Sequence, residues 1–341
     1  MTITETVTVR PLAVDDDEEL AEAQRVMRDS ALLGRPWGKV PSLREFTIDM
    51  RKPSSSERLE PYVAVLEGQV AGLLLMWFPL HDNTKFTWFD LHVDPLLRQR
   101  GVGSALAEKA VERTRADGRT TALVEFHVPD DNREDHEYAR FARRHGFTYA
   151  NTEIRRILDL PVDPALLQGF ADEAAERHEG YRIETHVGGL PEELRQSYCD
   201  CFNQLAVDAP TGEIDFEEES LTPQTYAEEL GRMAEQGRTP ITTVAIDPSG
   251  AVVAYNDLVT RAEEPAEVMQ WGTLVRREHR GHRLGMAVKA RGLQELARIA
   301  PDAKRVQTCN AEQNAHMVGV NEDLGFRRVE ALLAYQRKLD A

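Results

Sequence analysis

The chain repeats itself, and that repeat limits its fold more than any other feature. Val93-Asp-Pro-Leu-Leu-Arg98-Gln-Arg-Gly101-Val-Gly103-Ser-Ala is matched 182 residues later by Val275-Arg-Arg-Glu-His-Arg280-Gly-His-Arg283-Leu-Gly285-Met-Ala. A charged, alanine-rich helical stretch follows each copy. Next comes a short apolar strand, Ala122–His127 in the first and Arg305–Asn310 in the second, and then a helix that closes on Gly146-Phe147 or Gly325-Phe326. From arginine to that glycine the spacings are 48 and 45 residues, and the ends rhyme as Ile154-Arg-Arg156-Ile-Leu-Asp159 and Tyr335-Gln-Arg337-Lys-Leu-Asp340. Segments of period 2 and period 3.6 in the same order twice predict an internal duplication into two tandem α/β domains.

The boundary falls where Pro161-Val-Asp-Pro164 breaks a strand and Ala165–Arg177 reads as a connecting helix. The expected division is therefore 1–160, a linker helix over 161–180, and 181–341. Met1–Arg10 alternates like a first strand, and Tyr181-Arg-Ile-Glu-Thr opens the second half in the same way. In the first half, helices are predicted over Asp15–Leu33 and Leu43–Met50, with a hairpin over Tyr62–Gly72. In the second, Leu190–Ala206 and Pro223–Gln236 are predicted helical and Thr242–Tyr255 a hairpin.

The 341 residues are 41% hydrophobic and 29% charged, the balance of a folded chain rather than a disordered one. The longest apolar stretch, Val70–Pro79, is strand length and far short of the ~18 residues a bilayer helix needs. The start lacks the order of a secretory signal, so a cytoplasmic protein without membrane association is expected. The formal net charge of −17 repels phosphate backbones at long range, which argues against nucleic acid and mildly favours a cationic small molecule such as an amine. Three cysteines, Cys199, Cys201 and Cys309, do not build a disulfide framework. Cys199 and Cys201 read as helix-buried thiols rather than half a metal site, and Cys309 as a core residue of its strand. His279 and His282 are read as anion contacts, and no metal is expected.

Between a strand and a helix, Arg98-Gln-Arg100-Gly101-Val102-Gly103-Ser104 has a definite use. Glycines let the backbone turn tightly, and the free amides at the helix start converge on an anion that the helix dipole also favours. The pattern is neither a dinucleotide fingerprint nor a Walker loop. Alone, Arg-x-x-Gly-x-Gly could be no more than a tightened turn. Here it recurs with the same elements before and after.

That constellation resembles the GNAT superfamily of acyl-CoA-dependent N-acyltransferases, whose Gln/Arg-x-x-Gly-x-Gly/Ala loop grips the pyrophosphate of coenzyme A. The resemblance covers essentially the whole chain as two copies and implies a mixed, splayed β-sheet flanked by helices in each. It implies acetyl-CoA as the cofactor, held in the first copy by Val93, Arg98, Arg100, Gly101, Val102, Gly103 and Ser104. In the second copy the matching set is Leu274, Val275, Arg280, Gly281, His282, Arg283, Leu284, Gly285 and Met286, with Asn310 and Asn314 downstream. The resemblance further implies that the loop strand and the next part, and that the pantetheine arm enters the gap like an added strand. Amides near Leu91 and Val93, or Leu274 and Val275, would then polarise the thioester carbonyl.

Departures from the family pattern set the remaining expectations. Arg283 stands where the middle glycine belongs, and Asp135 occupies the first-copy position of Asn314, which weights the second half as the catalytic one. The tyrosine that many relatives use to protonate the thiolate is replaced by Ala142 and Asn321. Tyr335 on the final strand is the alternative acid, or else an interstrand packing residue. Asp90 on the cleft strand is the candidate base, or else a solvated carboxylate; Gly272 is its counterpart. The expected activity is acetyl transfer from acetyl-CoA to the amine of a small molecule by direct transfer in a ternary complex. The alternatives are a non-catalytic acyl-CoA-binding or regulatory protein and an enzyme resembling mycothiol synthase. Apart from the amine, the partner considered is a second copy of the chain as a homodimer.

Overall fold

The computed structural model describes residues 6–339, so Met1–Glu5 of the expected first strand and Asp340 of the closing rhyme lie outside the described residues. Two compact units emerge: one runs to Asn151 and takes up the chain again from Leu332, and the other is Thr152–Ala331.

Unit 1 contains β1 (Thr8–Pro11), α1 (Asp17–Leu32), α2 (Leu43–Arg51), β2 (Glu57–Leu66), β3 (Gln69–Pro79), β4 (Phe86–Val93), α3 (Val102–Ala116), β5 (Thr121–Pro129), α4 (Glu137–Arg144) and the opening of β6 (Thr148–Asp159). Local chemistry sets the helix starts. The Asp16 carboxylate accepts from the amides of Glu18 and Glu19 ahead of three acids in the first turn of α1, and Ser42 with Glu45 closes a capping box on α2. The run from Val70 to Met76 is buried throughout, so β3 is covered on both faces, and Leu20, Val26, Phe46, Val63 and Leu73 pack together against one of them. Each such side chain stabilises the unit by about 1.5–3 kcal/mol.

Unit 2 contains the rest of β6, then α5 (Pro164–Ala175), β7 (Arg182–Val187), α6 (Glu192–Asn203), α7 (Leu205–Asp208), α8 (Pro223–Glu235), β8 (Arg238–Ile246), β9 (Val252–Arg261), β10 (Glu267–Val275), α9 (Leu284–Ile299), β11 (Arg305–Ala311), α10 (Ala315–Asp323) and the opening of β12 (Arg327–Lys338). Its core joins Ile241, Leu258 and Val268 to Met286, Leu293 and Leu296 of α9. Helix α9 is buried continuously from Leu284 to Ala290.

The closing strands do not stay with the repeats that encode them. In unit 1 the strand order is β1-β2-β3-β4-β5-β12-β6, so the end of the second repeat lies beside β5. The Leu339 amide donates to the Thr120 carbonyl at 2.7 Å, and the Thr148 hydroxyl to the Gln336 carbonyl at 3.2 Å. In unit 2 the order is β6-β11-β10-β9-β8-β7, and β6, from the first repeat, pairs antiparallel with β11 from Glu153 to Asp159. A sequence rhyme locates each strand but not its neighbour, so the expected division at 161–180 marks the repeat while the compact units part within β6 and β12. Among the described residues no helix is long and apolar enough to cross a membrane.

Candidate active site

The two arginine loops share a backbone although their residues differ. After Arg98 (φ −63°, ψ 158°), Gln99 turns to φ 62° and Gly101 to φ 87°; after Arg280 (φ −71°, ψ 159°), Gly281 turns to φ 86° and Arg283 to φ 57°, ψ 16°. Each loop thus needs two left-handed residues and supplies one glycine, at opposite positions. Arg283 does occupy the conformation of the missing middle glycine, at a strain of about 1–2 kcal/mol. Neither α3 nor α9 has a side-chain cap, so their first amides point outward with no protein acceptor among the described residues. That is the donor set a diphosphate requires. Gly103 has a packing reason as well: a Cβ there would come 3.3 Å from the Phe141 ring, whereas at Gly285 the nearest atom is 3.7 Å away.

Both loop strands part from their parallel neighbours. β4 pairs with β5 from Phe86↔Thr121 to Phe89↔Val124 and no further, although both strands continue; β10 pairs with β11 only from Glu267↔Arg305 to Met269↔Gln307. A bulge between Gln270 and Thr273 marks the opening in unit 2. Amide direction follows from the antiparallel ladder on the far side. The Asp94 amide donates to Ala71 of β3 at 2.9 Å, so by alternation those of Leu91 and Val93 face the gap. The Arg276 amide donates to Val253 of β9 at 2.9 Å, which turns Thr273 and Val275 to the gap and Leu274 toward β9. The expected pair Leu274 and Val275 is corrected accordingly, because neighbouring residues on a strand cannot both face one side.

In unit 1, Asp90 and His92 share one face of β4, and Asp94, just past its end, takes Arg25 of α1 at 2.8 Å. Burial pushes the Asp90 carboxyl up to about 6, and no partner is recorded for it among the described residues. His92, which sequence reasoning passed over, has a buried Nε2 without a hydrogen-bond partner, and burial, with Arg35 nearby, pulls it down to about 4. Its only sequence signal was the i+2 spacing from Asp90. Tyr335 enters this unit on β12, stacked on Phe126 of β5 at 5.3 Å with its hydroxyl accepting from Arg143 at 3.3 Å. Among the described residues no hydrogen bond joins Tyr335 to Asp90. The loop arginines already have partners: Arg98 reaches Glu137 and the Tyr138 hydroxyl, each at 2.8 Å, and Arg100 reaches Glu67 at 2.9 Å. Ser104 lies 3.2 Å from His145. Such half-exposed pairs are worth about 0–1 kcal/mol, so an incoming phosphate exchanges them cheaply.

In unit 2 the loop cations are also engaged. Arg277 and Arg280 meet Asp208 at 2.5 and 2.9 Å, Arg283 pairs with Glu173, and His282 Nδ1 lies 3.1 Å from the Arg177 carbonyl. Leu284 and Met286 bury their side chains in apolar clusters, leaving only their amides for a ligand. Asn314 caps its own helix, accepting from the Met317 amide at 3.2 Å. The position of Asp90 is taken by Gly272, where a Cβ would lie 2.8 Å from the Tyr255 hydroxyl. That hydroxyl is buried without a partner and pushed well up by burial, so it stays a neutral phenol and cannot serve as a base. Asn310 accepts from Asn321 at 2.6 Å, and Asn321 accepts from Lys289 at 2.7 Å. Burial pulls the Lys289 ammonium down to about 7. The thiols of Cys199 and Cys201 are buried and pushed up to about 11 and about 12, which leaves them unreactive.

With both parted strand pairs and both turns of unpaired amides described, the comparisons with known proteins can be set beside them. The acetyltransferase (GNAT) family model matches residues 27–147. That match places a GNAT domain in the first repeat. A solved tandem GNAT protein from the clavulanic acid biosynthesis pathway, in a form without AcCoA, is 26% identical over 98% of this chain and 99% of its own, with a TM-score of 0.79. Two further solved structures share the fold. They are a GCN5-related N-acetyltransferase from Sphaerobacter thermophilus (15% identity, 98% and 96% coverage, TM-score 0.66) and the N-myristoyltransferase of Saccharomyces cerevisiae (11%, 97% and 80%, TM-score 0.59). A search of curated proteins finds no match.

Proposed function

We propose that this GNAT protein transfers an acetyl group from acetyl-CoA to the amine of a small molecule within a ternary complex, and that unit 1 carries the chemistry. One observation supports this above the others: the parted strands of unit 1 hold a half-buried carboxyl, Asp90, and the corresponding place in unit 2 holds a phenol. This reverses the weighting toward the second half, because Asn314 serves its own helix and both acid–base candidates, Asp90 and Tyr335, lie in unit 1.

The residues fit coenzyme A. The amides of Gly101, Val102, Gly103 and Ser104 would receive the diphosphate, and those of Leu91 and Val93 the arm and acyl carbonyl, the latter contribution being about 3–4 kcal/mol per well-placed donor. Bound acetyl-CoA supplies an activated acyl group on a thiol leaving group. An amine near the lysine pKa arrives charged, a form that the overall charge of −17 attracts. Asp90, ionised above about pH 6, accepts its proton. Tyr335, whose hydroxyl accepts from Arg143, would return a proton to the thiolate.

The test is thiol release from acetyl-CoA over a panel of small amines, with Arg98→Ala and Arg280→Ala made separately. Turnover lost with Arg98→Ala and kept with Arg280→Ala is the expected result. Tight coenzyme binding with no turnover on any amine would favour the acyl-CoA-binding reading instead, and no binding at all would sink both.

A further inference from the structure

Lys289, Asn321 and Asn310 form a hydrogen-bonded line through the interior of unit 2. Lys289 lies on α9 among the cluster that packs that helix, 1% exposed, with its nitrogen 5.4 Å from the centre of the Phe326 ring. Asn321 on α10 is fully enclosed, and both ends of its amide are used. Asn310 stands on β11 beyond Gln307, the last residue to pair with β10, and so on the wall of the gap.

The chemistry of these groups gives the line a direction. A lysine ammonium only donates, so the atom of Asn321 that meets it at 2.7 Å is the oxygen. The other end of Asn321 is then its NH2, which donates at 2.6 Å, so the atom of Asn310 that receives it is again the oxygen. What Asn310 has left is its own NH2. That group has no acceptor among the described residues, and it is not among the buried unsatisfied atoms of the unit, so it is accessible. At the same level Gln270 donates to Thr308 at 3.1 Å, tying β10 to β11 where their backbones cease to pair. Unit 1 has Ala142 at the position of Asn321, so the line belongs to unit 2 alone.

We propose that Lys289 and Asn321 are positioning residues that lock the Asn310 side chain with its NH2 toward the parted strands, making unit 2 a donor-lined site for a carbonyl of the acyl-CoA arm. The lock rests on the acyl-CoA reading above and adds to it a reason for two buried polar residues that catalysis does not use. A buried amide free to rotate would present oxygen or nitrogen with similar ease. While Lys289 carries its proton, one donor-only group at the far end removes that freedom.

The variant that separates direction from support is Asn321→Asp. Its carboxylate keeps the contact to Lys289 but can only accept, so Asn310 must turn its NH2 inward and present oxygen to the gap. The full-length protein, Asn321→Asp and Lys289→Met are titrated calorimetrically with coenzyme A and, separately, with adenosine 3′,5′-bisphosphate, which lacks the pantetheine arm. The lock predicts that one coenzyme A site weakens tenfold or more in both variants, that the thermal midpoint of Asn321→Asp stays within a few degrees of the parent, and that bisphosphate binding is unchanged. Coenzyme A binding by Asn321→Asp equal to that of the parent overturns the lock and leaves the acyl-CoA reading standing. A parent that binds neither ligand overturns that reading itself.

Discussion

Replacing Lys289 by methionine should change the sign of its effect on stability with pH. The ammonium is pulled from the usual 10.5 to about 7 by burial in an apolar surround. At 1.36 kcal/mol per unit, that displacement means the folded state bears a penalty of about 5 kcal/mol whenever the lysine is charged. Because the unfolded chain binds the proton more tightly, native stability rises with pH between about 7 and 10.5: the penalty is present in full below 7 and absent above 10.5. Methionine removes it, fills a similar volume, and leaves the Asn321 oxygen without its donor, at a cost of about 1–3 kcal/mol. Lys289→Met should therefore be more stable than the parent by about 2–4 kcal/mol at pH 6 and less stable by about 1–3 kcal/mol near pH 10.5. Urea unfolding followed by tryptophan fluorescence at the two pH values measures both. A variant weakened equally at both would refute the burial argument, since it would mean the charge is solvated in the native protein.

Asp90 acts as a base only when ionised, so kcat/KM should fall as pH drops through about 6, and Asp90→Asn should lose that limb together with roughly 10²–10⁴-fold of activity at pH 7.5; an unchanged profile would remove Asp90 from the mechanism. Arg283→Gly relieves a left-handed arginine at the expense of an exposed pair with Glu173 and some chain entropy, for a net gain of about 0.5–1 kcal/mol in urea unfolding and little change in coenzyme affinity, because the amide remains. A large loss of affinity would show instead that the guanidinium binds phosphate. Gly272→Ala puts a Cβ 2.8 Å from the Tyr255 hydroxyl and 3.0 Å from its ring, so it should cost about 1–3 kcal/mol, and Tyr255→Leu in the same chain should recover part of it. If the alanine alone is harmless, the bulge at this position is freer than its packing implies.

Much of this architecture was legible in the chain itself. The helix over Leu43–Arg51 needed only Ser42 and Glu45, three residues apart, to be seen, and the strand over Gln69–Pro79 only its apolar run. The loops were legible because glycine at a left-handed position is a backbone requirement written in residue type. Arg283 shows where that signal ends: φ 57° was imposed by the strand and helix on either side, not by its own preference. Leu274 was misread for a related reason, since only the register against β9 tells which amides of β10 turn outward.

Sequence by itself determined the duplication, the order of elements and the two turns of bare amides, because these depend on local periodicity and on residues with unusual backbone freedom. Tertiary structure alone decided that β12 closes unit 1 and brings Tyr335 to it, that Tyr255 fills the place of a missing carboxylate, and that Lys289 reaches Asn321 across 32 positions of chain. Pairing between strands and contact between buried side chains are set by the free energy of the whole packed unit, and no window of neighbouring residues carries that quantity.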